Sequence, residues 1–191
     1  MQEGEERVEV QVQGCSALWS LVADEKADHA DFRRTIVELP GAVGVIVASM
    51  RAHQASAEVQ VPCCGVLLNL AKNPDNQRTI VEAGGVEVIV AGMRSHAHDV
   101  RVQEEGCGAL ARLALNNAHN RRTIAKAGGV EVIVAGLRTH AHDARVQEEG
   151  CGALWTLAKD EHIRSTIAKA MASMSVICLT KVTKGEDWRE A

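Results

Sequence analysis

The sequence predicts an all-α solenoid, and three series of self-similar strings predict it. "RTI" stands at Arg34, Arg78 and Arg122, with a looser "STI" at Ser165, at steps of 44, 44 and 43 residues. "GCSALWSL" from Gly14, "CCGVLLNL" from Cys63, "GCGALARL" from Gly106 and "GCGALWTL" from Gly150 form a second series, at steps of 49, 43 and 44. "AGGVEVIVAGMR" from Ala83 and "AGGVEVIVAGLR" from Ala127 form a third, with "PGAVGVIVASMR" from Pro40 a looser relative. A fixed period of this length marks a stack of like units, each covering its neighbour's apolar face. The one long step has a local cause: about five extra residues inside the polar "ADEKADHADF" at 23–32, read as a loop insertion.

Each unit reads as three helices. The first is short, for example residues 120–127, and ends at a glycine pair. Gly128 suits a left-handed helix end, and Gly129 lets the next helix start close by. The second spans 130–138, where Val130, Ile133, Val134 and Leu137 recur at i, i+3, i+4 and i+7 and make one apolar face. The third starts after Asp143, a natural N-cap, and runs to about Lys159; Asp99 and Ser56 take the same place in earlier units. Pro62 falls inside the third helix of its unit, where it predicts a kink or a late start.

These residues resemble the armadillo repeat family. The likeness rests on "NRRTIAKAGGVEVIVAGLRTHAHDARVQEEGCGALWTLAK" (120–159) and its copies. The resemblance implies a right-handed α-solenoid superhelix with three helices per unit of about 43–44 residues. It divides the chain into about four repeats over residues 1–170. The first is partial, with a third helix at 7–23, and units follow at about 33–72, 77–115 and 121–159. Residues 171–191 replace the glycine pair and are expected to form a degenerate cap and a polar tail. A chain that opens on a third helix reads as a piece of a longer array whose end faces promote self-association.

Composition narrows the function classes. The apolar fraction of 46% includes one Phe, no Tyr and an aromatic fraction of 2%, so the core is aliphatic. The net charge of −4 argues against a nucleic-acid surface, which needs a basic face. No apolar run is long enough to cross a membrane, and the polar "MQEGEERVEV" start is unlike a secretory signal. The expectation is an intracellular protein, cytoplasmic or nuclear, with reduced thiols.

The family resemblance implies that third helices line a concave groove. In residues 99–115 the core stripe is Val102, Gly106, Ala109, Leu110, Leu113 and Ala114, and the opposite stripe carries Glu104, Gly108, Ala111, Arg112 and Leu115. The equivalent groove stripes bring in Trp19 and Ser20; Asn69 and Lys72; and Glu148, Trp155, Thr156 and Lys159. Trp19 and Trp155 are the candidate anchors, since an open tryptophan among polar residues is a favoured contact. The bland alternative is that each covers a neighbouring helix. Nuclear-import members carry a Trp and an Asn four residues apart here. Asn69 matches the Asn, but Ser20, Arg112 and Thr156 stand at the other Asn positions, and Ser16, Gly65, Gly108 and Gly152 at the Trp positions. Import signals are therefore not the expected ligand. The mixed charges also differ from the basic rows of catenin-like grooves.

Other chemistry reads as structure. Cys15, Cys64, Cys107 and Cys151 share one helical position. Neighbouring helices lie about 10 Å apart, beyond the roughly 7 Å between Cα atoms that a disulfide spans, so small buried thiols are expected. His96, His98, His140 and His142 sit in turns between second and third helices; they are the candidate metal ligands, but a surface ridge is the expected role. No phosphate loop, nucleophile elbow or zinc-protease signature occurs. The expectation is a non-enzymatic scaffold without a cofactor, holding an extended peptide or partner protein. Its alternatives are a self-associating array and, behind it, a metal module built on the His-x-His turns.

Overall fold

A computed structural model of the chain describes residues 2–23 and 41–172, with side chains from residue 9 onward, Val22 and Ala23 excepted. The insertion at 23–32 beyond Ala23, the first helix of the 33–72 unit and the expected tail from 173 lie outside the described residues. Ten helices occur among them, and no strand. They are α1 (Gln2–Ala23), α2 (Ala42–Ala52), α3 (Ala57–Leu70), α4 (Pro74–Glu82), α5 (Gly85–Ser95), α6 (Val100–Ala114), α7 (Ala118–Lys126), α8 (Gly129–Thr139), α9 (Ala144–Leu157) and α10 (Glu161–Met171). The third helices α1, α3, α6 and α9 pack side by side, each mainly against the next. Second helices α2, α5 and α8 form the row behind them. This is the expected armadillo solenoid.

The glycine pair makes the corner between first and second helices. Gly128 has φ of 85°, a region that an L side chain enters only at a cost. At Gly129 the close approach decides: an added Cβ would run into Ile124 Cγ2 and lie 2.8 Å from the Ile124 carbonyl oxygen. Asp99 accepts a hydrogen bond from Val102 N, and Asp143 from Arg145 N and Val146 N, so both cap their third helices. Ser56 occupies the same position but makes no side-chain cap bond. The late start expected from Pro62 does not occur: α3 begins at Ala57 and runs through it. The acceptor that Pro62 cannot engage is the Glu58 carbonyl, at the exposed start of the helix, where water replaces the lost donor at little cost.

The core stripe behaves as its period requires, with Val102, Gly106, Ala109, Leu110, Leu113 and Ala114 all buried. A polar ladder runs through the same core. Gln60 Nε2 donates to the Met50 and His53 carbonyls, Gln103 to Met93 and His96, and Gln147 to Leu137 and His140. Each amide thus closes the open end of its own unit's second helix, which has carbonyls without helical partners. Asn76 and Asn120 do the same for third helices, donating to the Leu70 and Leu113 carbonyls. The histidine turns stitch units together. Nε2 of His96 lies 2.8 Å from the Gln54 carbonyl oxygen, and that of His140 lies 2.9 Å from Ala97 O, each in the preceding turn. A carbonyl only accepts, so both rings carry their proton on Nε2 in this contact.

Cys15, Cys63, Cys64 and Cys107 are free and buried. The thiols that meet are Cys15 and Cys63, 2.8 Å apart, not the repeat-equivalent Cys15 and Cys64. Cys151 is disulfide-bonded, which corrects the expectation of a thiol there; none of the other described cysteines is its partner.

Candidate functional site: the third-helix face

One contact recurs along this face and then stops. The Trp19 indole of α1 lies over Gly65 of α3, so close that an added Cβ at Gly65 would meet ring atoms Cε2 at 2.5 Å and Cδ1 at 2.8 Å. One unit on, Leu68 of α3 lies over Gly108 of α6, with Cδ1 at 2.5 Å from the Cβ position. One unit further, the repeat places Ala111 of α6 opposite Gly152 of α9. Alanine has nothing beyond Cβ to lay across the neighbouring helix. A pocket of about 310 Å³ opens between α6 and α9, lined by Gly108, Ala111, Arg112, Glu148, Gly152 and Trp155 among others.

The charges around it are partly spent within the fold. Arg145 of α9 reaches back to Glu104 of α6 at 3.0 Å. Arg101 stands over the Trp19 ring at 5.4 Å from its centroid, and the Lys159 ammonium over Trp155 at 4.2 Å, both in cation–π range. Glu148 is exposed, and Arg112 is half-buried against the pocket. Burial, and then the neighbouring Glu104 charge, push the Glu105 carboxyl up to about 7, against the pull of Arg101.

A family model described as the LRRK2 ARM repeat matches residues 1–186. The chain belongs to this armadillo repeat family. No curated protein matches it. A crystal structure of an engineered protein is 29% identical, with a TM-score of 0.73 over 93% of this chain and 72% of that one. A designed armadillo repeat protein, YIII(Dq)4CqI, has the same fold at 17% identity and a TM-score of 0.66, over 94% of this chain and 84% of its own. A related design in complex with the peptide (KR)4 matches with the same identity, coverage and TM-score.

On this armadillo face the ten residues expected in the groove divide. Ser20 and Lys72 are exposed. Glu104, Glu148, Arg112, Trp155 and Lys159 surround the interval between α6 and α9, Glu104 being held by Arg145. Trp19 is half-buried and covers α3, which is the bland alternative for that ring. Asn69 and Thr156 are buried and turn back onto their own helices, although Thr156 still lines the pocket between α6 and α9. Asn69 Nδ2 donates to Gly65 O and Thr156 Oγ1 to Gly152 O, four residues back in the same helix. Only 5% and 4% of their surfaces are exposed. Ser20 also bonds back, to Ser16 O, but stays exposed. The four candidate histidines do not converge: His96 and His140 engage backbone, and His98 and His142 are exposed. No cluster of three metal-ligating side chains occurs among the described residues.

Gly108, Gly152 and Ala111 carry the pocket although no side-chain chemistry marks them. The signal available was the recurring glycine opposite a residue that shrinks from Trp19 through Leu68 to Ala111.

The raised Glu105 carboxyl makes stability depend on pH. Between its ordinary 4.5 and about 7 the native state holds more proton than the unfolded chain, so stability falls as pH rises through this window. Glu105→Gln removes that loss. Urea titrations should find the variant about 1 kcal/mol more stable than wild type at pH 8, after allowance for solvent screening, and no such gain at pH 4. An equal difference at both pH values would place the Glu105 charge outside the account.

Proposed function

We propose that the chain is a non-enzymatic scaffold that holds an extended peptide or partner protein along the concave groove of its third helices. The observation that supports this most is the pocket between α6 and α9, open on that face and walled by groove residues from both helices. A rigid row of helices offers side chains at a regular interval to a chain of comparable repeat, so little ordering cost falls on the scaffold. A peptide is the ligand named for one designed neighbour of the same fold.

The test takes peptides selected from a random displayed library on the wild-type chain. Exchanging charges on the groove (Arg112→Glu with Glu148→Lys) should weaken them by roughly tenfold or more, as expected for charges within an interface. Glu87→Lys, at an exposed position of the second helix α5, should leave them unchanged. Equal binding by both variants would remove the groove from the function.

A second reading, self-association, is favoured by one observation. Val10, Gly14, Ala17 and Leu21 form an exposed stripe on α1, with Val10 67% and Leu21 41% exposed. Their repeat equivalents in α6 are the buried Val102, Gly106, Ala109 and Leu113. Light scattering over a dilution series should then find dimers or larger species that Val10→Glu with Leu21→Glu disperses. A wild-type monomer at every concentration excludes this reading.

A further inference from the structure

We propose, resting on the groove reading, that the pocket between α6 and α9 receives an aromatic side chain of the partner with a basic residue beside it. The inner rungs of the face show both contacts made by the chain itself. Over Gly65 the ring is supplied by Trp19. On Glu104 the cation is supplied by Arg145 from the next third helix, at 3.0 Å. At the last rung the residue opposite Gly152 is Ala111, which supplies no ring. Glu148, the equivalent of Glu104, is exposed at the rim of the pocket.

The pocket has the shape and walls for this occupant. Half-buried Gly152 offers it backbone without a side chain, on which a flat ring can lie as Trp19 lies on Gly65, while Gly108 is covered by Leu68 and the Glu149 carboxylate, whose Oε2 is 3.1 Å from its Cβ position. Leu68, Ala111 and Leu115 are its apolar walls, and Trp155 offers an aromatic partner at its edge. The volume of about 310 Å³ falls at the lower end of the small-ligand range and suits one side chain with its flanking backbone. The carboxylate of Glu148 at the rim favours a neighbouring cation.

The probe is N-acetyl-arginyl-tryptophan amide, titrated into the full chain while backbone amide and indole resonances are followed. Dose-dependent shifts are expected at Gly108, Gly152, Thr156 and the Trp155 indole. N-acetyl-arginyl-alanine amide should bind at least tenfold more weakly. Ala111→Trp, which gives the last rung its own ring, should weaken the tryptophan probe by a similar factor. Glu148→Gln should reduce the preference for N-acetyl-arginyl-tryptophan amide over N-acetyl-glutamyl-tryptophan amide, and it leaves the pocket walls in place should Ala111→Trp misfold. The proposal is overturned if the alanine probe binds as well, if no pocket resonance moves at millimolar probe, or if folded Ala111→Trp binds like wild type. Should the dipeptide fail while library peptides still lose binding on the groove charge exchange, the pocket assignment falls and the groove reading stands. Should both fail, both fall.

Discussion

Gln103→Met is expected to lower stability by about 2–4 kcal/mol in urea unfolding, although the replacement is apolar, similar in length and placed in an apolar core. The amide donates 2.8 Å to Met93 O and 3.0 Å to His96 O. His96 O also accepts from Asp99 N, but the Met93 carbonyl is left without a partner in a buried setting. Two net hydrogen bonds and one orphaned carbonyl add to this magnitude. Gln103 Oε1 has no partner of its own, which trims the loss because methionine relieves that cost. Gln147 makes the same two bonds but is less buried, so Gln147→Met should cost less. A loss at position 147 equal to or above that at 103, or none at 103, would contradict the ladder's role.

The second large effect has the opposite sign to helix propensity. Alanine exceeds glycine by about 1 kcal/mol inside a helix, and Gly129 is the first residue of α8. Gly129→Ala is nevertheless expected to destabilise by about 2–4 kcal/mol, the range for a forced overlap in a packed region. The new methyl would meet Ile124 Cγ2 and the Ile124 carbonyl at 2.8 Å, and the latter is backbone that cannot rotate away. Gly128→Ala should cost less, about 1–2 kcal/mol, since its φ of 85° must be held by a side-chain-bearing residue but the nearest atom to the new Cβ, Arg94 Nη2 at 3.1 Å, ends a flexible side chain that can give way. Thermal or urea unfolding of the two variants ranks them; a stabilised Gly129→Ala chain would mean that the corner opens freely.

Repetition made the fold legible. The glycine pair, the Asp caps and the i, i+3, i+4 apolar spacing each occur in register, and each is a local rule that packing does not override. The groove was legible only as a stripe. Period alone places Asn69 and Trp19 on one face, but it cannot see that Asn69 bends back to Gly65 O or that Trp19 lies down on Gly65. Those outcomes depend on what stands one unit away. Gln11, Gln60, Gln103 and Gln147 recur in register too, yet a polar residue beside the core stripe reads as surface until the unpaired carbonyls of the second helix are counted. The histidines were ambiguous because their reach depends on the distance between turns, which brings His140 onto Ala97 O.

The claim that the third-helix face is the binding surface is tested most directly by mapping backbone amide shifts of the full chain against a library-selected peptide. The account predicts perturbations concentrated on α3, α6 and α9, strongest around Gly152 and Arg112. Perturbations concentrated on the second helices α2, α5 and α8, with the third-helix amides unmoved, would contradict it.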